Sequence, residues 1–139
     1  MHANNYLNQI ETADQARELL TGTSRGIIIF SGPDWCSPCA IYHQNLTNHR
    51  QTLAPLLTER NVDLSWVYTP KPTESVFEEI LAALEAHLDG FTAPPLVPTT
   101  VFREGRRIIE VRRVSIRTLD LVEAIRIKFP HQVQPRFES

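Results

Sequence analysis

Apolar positions fall along this chain in two rhythms, and each rhythm marks a kind of element. Gly26-Ile27-Ile28-Ile29-Phe30 is a short, wholly apolar, β-branched run, the pattern of a central strand buried on both faces. Val62, Leu64, Trp66 and Tyr68 alternate with Asp63, Ser65, Val67 and Thr69, which predicts a second strand of period two. Phe77, Ile80, Leu81, Leu84 and Leu88 instead recur at helical spacing and stop before Gly90. Leu119, Val122, Ile125 and Phe129 mark a final amphipathic helix that Pro130 ends. Thr12-Ala13-Asp14-Gln15 reads as a capping box opening a helix through about Leu20. A helix is expected from Cys36 to about His49, with a shorter helical piece around Pro55–Glu59. Thr99–Phe102 and Arg107–Val111, on either side of Arg103-Glu104-Gly105-Arg106, carry a hairpin signal, and Asn5–Ile10 suits an extra strand.

Strands alternating with helices and closing on a hairpin predict an α/β domain, with a mixed central sheet of four to five strands and helices on both faces. The chain has 139 residues, and at roughly 100–200 residues per domain a single domain is expected. We place it at residues 1–129, with a flexible extension at 130–139. Apolar residues make up 42% and charged residues 22%, an ordinary globular composition that argues against a disordered tail protein. Fourteen Lys and Arg against sixteen Asp and Glu leave no basic field to recruit nucleic acid. No apolar run approaches the ~20 residues of a membrane span. The first residues show no charged segment followed by an apolar one, so no secretory signal is visible. A cytoplasmic monomer is therefore the expectation, although a chain from which a signal had been cut would look the same.

The chemistry concentrates in two cysteines, too few for a disulfide scaffold or a four-sulfur zinc site. They stand together as Cys36-Ser37-Pro38-Cys39. With Cys36 at the start of a helix, first-turn N–H groups and the helix dipole favour its thiolate, lowering its pKa below the ~8.5 of a free cysteine. The thiolate is the form that attacks a disulfide. Cys39, three residues on, shares that helical face and can resolve a mixed disulfide at Cys36. Pro38 costs nothing in the first turn, where its missing N–H has no partner. Two buried core cysteines, or a metal held with His43 as third ligand, are the competing readings. Trp35, directly before the pair, suits either the core or a flat docking surface. Further on, Val97-Pro98 precedes the strand-like Thr99-Thr100-Val101-Phe102. A cis bond at Pro98 would bring a bend against the cysteines, and Val97 could offer its backbone to an extended peptide. A trans proline in a proline-rich loop is the plainer alternative.

Ile27-Ile28-Ile29-Phe30 leading into Asp34-Trp35-Cys36-Ser37-Pro38-Cys39, then Val97-Pro98-Thr99-Thr100-Val101-Phe102-Arg103-Glu104-Gly105-Arg106, resembles the thioredoxin superfamily over about residues 14–129. The resemblance implies a thioredoxin-like three-layer fold and a thiol–disulfide oxidoreductase that reduces protein disulfides. By that resemblance Cys36 attacks, Cys39 resolves and Pro98 is the cis-proline of the substrate groove. Val97 would pair its main chain with the substrate, and Trp35, Ser37 and Pro38 would shape the groove. No bound cofactor or metal is implied, since the dithiol carries the electrons. A flavoprotein reductase or another dithiol protein would re-reduce it. The departures point to a specialised relative. Phe30 stands where thioredoxins carry a buried aspartate, six positions before the first cysteine, and Ser37 replaces the glycine usual in reducing members. Gln44 stands at the place of a helix-kinking proline, and Arg112 or Arg113 at that of a docking-surface glycine. An oxidant or isomerase of an exported compartment, or a docking module that kept the fold, are the rival functions.

Six of the fourteen cations lie between Arg103 and Arg117. They suit an edge strand kept from pairing. Alternatively, Arg112 and Arg113 line the rim near Cys36, favouring its thiolate and selecting an acidic protein partner.

Overall fold

A computed structural model describes residues 6–22, 25–71, 74–91 and 96–130. Most of the extension expected at 130–139 lies outside the described residues, as does part of the 90–98 loop. The elements run β1 (Leu7–Ile10), α1 (Ala13–Gly22), β2 (Arg25–Ser31), α2 (Ser37–Asn48), α3 (Arg50–Arg60), β3 (Asp63–Tyr68), α4 (Ser75–His87), β4 (Thr99–Glu104), β5 (Arg107–Arg112) and α5 (Thr118–Lys128). They form one mixed sheet in the order β1-β3-β2-β4-β5. β1 and β2 each run parallel to β3, whereas β4 is antiparallel to both β2 and β5.

The apolar pattern explains this order. Every residue of β2 is buried, because β2 is central and helices cover both of its faces. Ile27 and Ile29 pack on one face with Tyr42 and Leu46 of α2, Leu53 and Leu57 of α3, and Leu121 and Ile125 of α5. Ile28 and Phe30 pack on the other with Ala16 of α1 and Phe77, Ile80 and Leu84 of α4. The result is three layers, helices against sheet against helices. The α1 capping box forms reciprocally: Gln15 N–H donates to Thr12 Oγ1 at 3.1 Å, and Thr12 N–H donates back to Gln15 Oε1 at 3.2 Å.

Three elements differ from expectation. β3 is buried on both faces rather than one, since it lies between β1 and β2; Ser65 and Val67 are as enclosed as Leu64 and Trp66. α3 extends over Arg50–Arg60 with Pro55 inside it. Burial of Leu53, Leu56 and Leu57 outweighs the bond that the proline removes, a case of packing overriding propensity. On α5, Leu119 is 82% exposed, and the buried stripe is Leu121, Val122, Ala124 and Ile125. In the hairpin turn, Gly105 takes φ +60°, a conformation that favours glycine.

The registers bring function to one edge. Ile10 and Phe30 both pair with Val67, Phe30 also faces Thr99, and Thr100 faces Arg112. The ends of β1, β2, β3 and β5 and the start of β4 therefore share one end of the sheet. In open α/β sheets, the carboxyl ends of the parallel strands are where sites are built.

Candidate active site

Cys36 and Cys39 are joined by a disulfide, with Cα atoms 5.2 Å apart. Cys36 is the N-cap of α2, in extended conformation, and its sulfur accepts from the Cys39 N–H at 3.3 Å. A tight turn presents it: the N–H groups of Trp35 and Cys36 both donate to Gly32 O, at 3.1 and 2.8 Å. Cys36 is half-buried, Cys39 fully buried, and Ser37 and Pro38 exposed. One sulfur can thus meet a partner while the other can be reached only from within. Opening the disulfide leaves Cys36 at a helix N-terminus whose first-turn N–H groups favour an anion.

Trp35 is fastened beside the pair. Its indole N–H donates to Thr69 O at 2.9 Å, and the ring remains 38% exposed. Lys71 Nζ lies 5.3 Å from the ring centroid. Gly32 lies beneath the indole, and a Cβ there would collide with it and come within 2.7 Å of Thr69 O. On the neighbouring strand end, Tyr68 donates its hydroxyl to both carboxylate oxygens of Asp34 at 2.8 Å. That bond, chiefly, raises the Tyr68 pKa. The Val97–Pro98 peptide bond is cis. Pro98 is buried, and Val97 is half-buried against the core that α1 and α4 cover. One turn along α2 from Cys39, the Tyr42 and Thr100 hydroxyls bond at 2.7 Å, and burial pushes the Tyr42 pKa above the usual phenol range.

Solved structures show what this arrangement resembles. Thioredoxin f2 of Chlamydomonas reinhardtii superposes with a TM-score of 0.62 over 91% of this chain and 99% of its own, at 18% identity. A mutant thioredoxin from Halobacterium salinarum gives 0.59 over 97% and 99%, at 16% identity. Thioredoxin O2 of Arabidopsis thaliana in its oxidized state gives 0.57 over 93% and 99%, at 14% identity. The chain has the thioredoxin fold. No family model matches it, and no curated protein matches it significantly.

Within this thioredoxin fold the arginines of the hairpin region separate. Arg103 is fully buried at the far end of the sheet, where its guanidinium covers Gly26 and donates to Gly105 O at 3.0 Å. Desolvation lowers its pKa. Arg106, also at that end, donates to Ala86 O at 3.0 Å. Arg112 reaches the cysteine-bearing end but turns to the α5 face, bound to Glu110 at 2.6 Å with its guanidinium 5.6 Å from the Phe102 ring centroid. Arg113 alone of the expected rim pair is exposed, and it lines a small pocket with Thr99, next to Pro98. Phe30, at the expected aspartate position, is fully buried and stacks on Phe91 with ring centroids 5.7 Å apart. Among the described residues no three His, Cys, Asp or Glu side chains group as metal ligands. Gly32 and Tyr68 escaped the sequence reading. Nothing in the sequence marks Gly32 as the seat of the indole, and Tyr68 joins the site only because β3 lies beside β2.

Proposed function

We propose that the protein is a thiol–disulfide oxidoreductase that reduces protein disulfides by exchange at Cys36 and Cys39. The observation that carries this reading is the unequal access of two bonded sulfurs at a helix N-terminus, one half-buried and one fully buried. In the reduced protein, the Cys36 thiolate attacks a substrate disulfide, forming one S–S bond and releasing a substrate thiolate that takes a proton from solvent. Cys39 then loses its proton and attacks Cys36 Sγ. The mixed disulfide breaks, the second substrate thiol leaves, and the Cys36–Cys39 bond forms. Two electrons pass from the protein dithiol to the substrate.

Trp35, Ser37 and Pro38 form the exposed surface beside the reacting sulfur. Val97, before the cis Pro98, offers main-chain groups to an extended substrate, as in strand addition. Arg113 stands beside that flank and would favour an acidic group there. A reductase or upstream dithiol protein returns the pair to the dithiol, and the cytoplasm is the working compartment. Insulin reduction by the wild type and Cys36→Ser, with the reduction potential of the pair, tests this. A potential near −270 mV with turnover confined to the wild type is expected, whereas one well above about −200 mV would make the protein an oxidant. Equal turnover by both proteins would remove the enzyme reading altogether.

A further inference from the structure

A pocket of about 460 Å³ opens on the side of the disulfide away from Val97 and Pro98. Its apolar lining comes from both faces of the sheet, Trp66 from the α2 side and Phe77 and Ile80 from the α4 side, with Pro33 and Tyr68 from the strand ends beside the cysteine loop. Tyr68 and Val76 leave apolar surface in solvent there, at 38% and 49% exposure. The rim is acidic. Glu11 follows β1 and Glu74 precedes α4, both exposed, and neither has a salt-bridge partner among the described residues. Asp34, outside the lining, holds a further carboxylate nearby that accepts from the Tyr68 hydroxyl. His43, its ring 4.7 Å from that of Trp66, is the remaining titratable side chain of the lining besides Tyr68 and the two glutamates.

Volume and charge together select an occupant. A pocket this size is within the range that takes a whole ligand group, and its unpaired carboxylates favour a cation at the rim. We propose that it is a second substrate subsite, taking an apolar side chain that adjoins a lysine or arginine in the disulfide-bearing protein. This rests on the reductase reading and names its substrate class. Sheet order gives the spacing. Cys36 follows β2 and the rim residue Glu11 follows β1, two strand spacings or about 10 Å apart, which three extended residues span. A substrate whose cysteine meets Cys36, its main chain crossing the ends of β2 and β3, thus reaches the pocket with a side chain about three residues along.

Two peptides test the subsite. Both carry a cysteine as its mixed disulfide with mercaptoethanol, and they differ only in Leu-Lys or Leu-Glu three residues away. The ratio of kcat/KM for the lysine over the glutamate peptide is measured in wild type, Glu74→Lys and Glu11→Lys. The wild type should favour the lysine peptide about five- to tenfold, less at high salt, and each charge reversal should bring the ratio toward or below one. A wild-type ratio near one, or a ratio unmoved by both reversals, overturns the proposal. If neither peptide is reduced, the reductase reading fails by itself. The subsite is then read by titrating serine versions of both peptides against tryptophan fluorescence. Tighter binding of the lysine peptide, lost in Glu74→Lys, upholds it, and equal binding overturns it.

Discussion

Gly32→Ala probes the support of the site without touching either sulfur. The added methyl would collide with the Trp35 indole and lie 2.7 Å from Thr69 O, where real methyl contacts do not come below 3.0 Å. The Thr69 carbonyl cannot retreat easily, because the Thr69 N–H is itself bonded to Ser31 O at 2.9 Å, tying β3 to β2. The indole must therefore move. Overpacking costs about 1–3 kcal/mol, and losing the indole bond to Thr69 adds about 0.5–1.5 kcal/mol. Since Trp35 is 38% exposed, it can swing outward, which holds the total near the lower end, about 2 kcal/mol. Against a typical stability of about 5–15 kcal/mol the variant stays folded. Urea unfolding measures the loss, and tryptophan emission reports the indole moving into water. Reduction of a protein disulfide should fall further than that of a small disulfide, because the docking surface is displaced while the Cys36 sulfur remains. A variant within about 0.5 kcal/mol of wild type, with unchanged emission, would refute the reasoning.

The buried phenols supply two further expectations. Burial raises Tyr6 to about 12 and Tyr42 higher still, so above pH ~10 the unfolded chain binds fewer protons than the folded one. Their contribution to stability is complete below that pH and is lost as pH rises through 10 toward 12 and beyond; urea midpoints across this range should fall more gently in Tyr6→Phe. At neutral pH, Tyr42→Phe leaves the buried Thr100 hydroxyl without its 2.7 Å partner and should cost about 1–3 kcal/mol by urea unfolding. A loss under about 0.5 kcal/mol would show that this bond contributes little.

Much of the architecture was legible because it follows local rules. The unbroken apolar run at Ile27–Phe30 could only be buried on both sides, and the Thr12–Gln15 box announced α1 by its own hydrogen bonds. The cysteine pair was legible for the same reason, since a helix N-cap is a short-range feature. What stayed hidden depends on neighbours distant in sequence. Arg112 and Arg113 are adjacent, yet β5 ends between them: Arg112, the last strand residue, turns to α5 and Glu110, and Arg113 just beyond it stands in solvent beside Thr99. Leu119 fits the period of α5 but falls off the stripe centred on Leu121 and Ile125, because the covering face is set by the sheet. The Tyr68–Asp34 bond spans thirty-four positions, and the acid-rimmed pocket gathers residues from β1, α2, β3 and α4. No window along the chain contains either.

The most direct test of the whole account is competitive alkylation of the fully reduced protein. Substoichiometric iodoacetamide is added across a pH series, and the modified cysteine is located by peptide mass spectrometry. The account predicts that the label falls on Cys36 and that its rate rises at lower pH than for a cysteine in an unstructured peptide. Labelling of Cys39 first, or of both alike with the pH dependence of a free thiol, would contradict it.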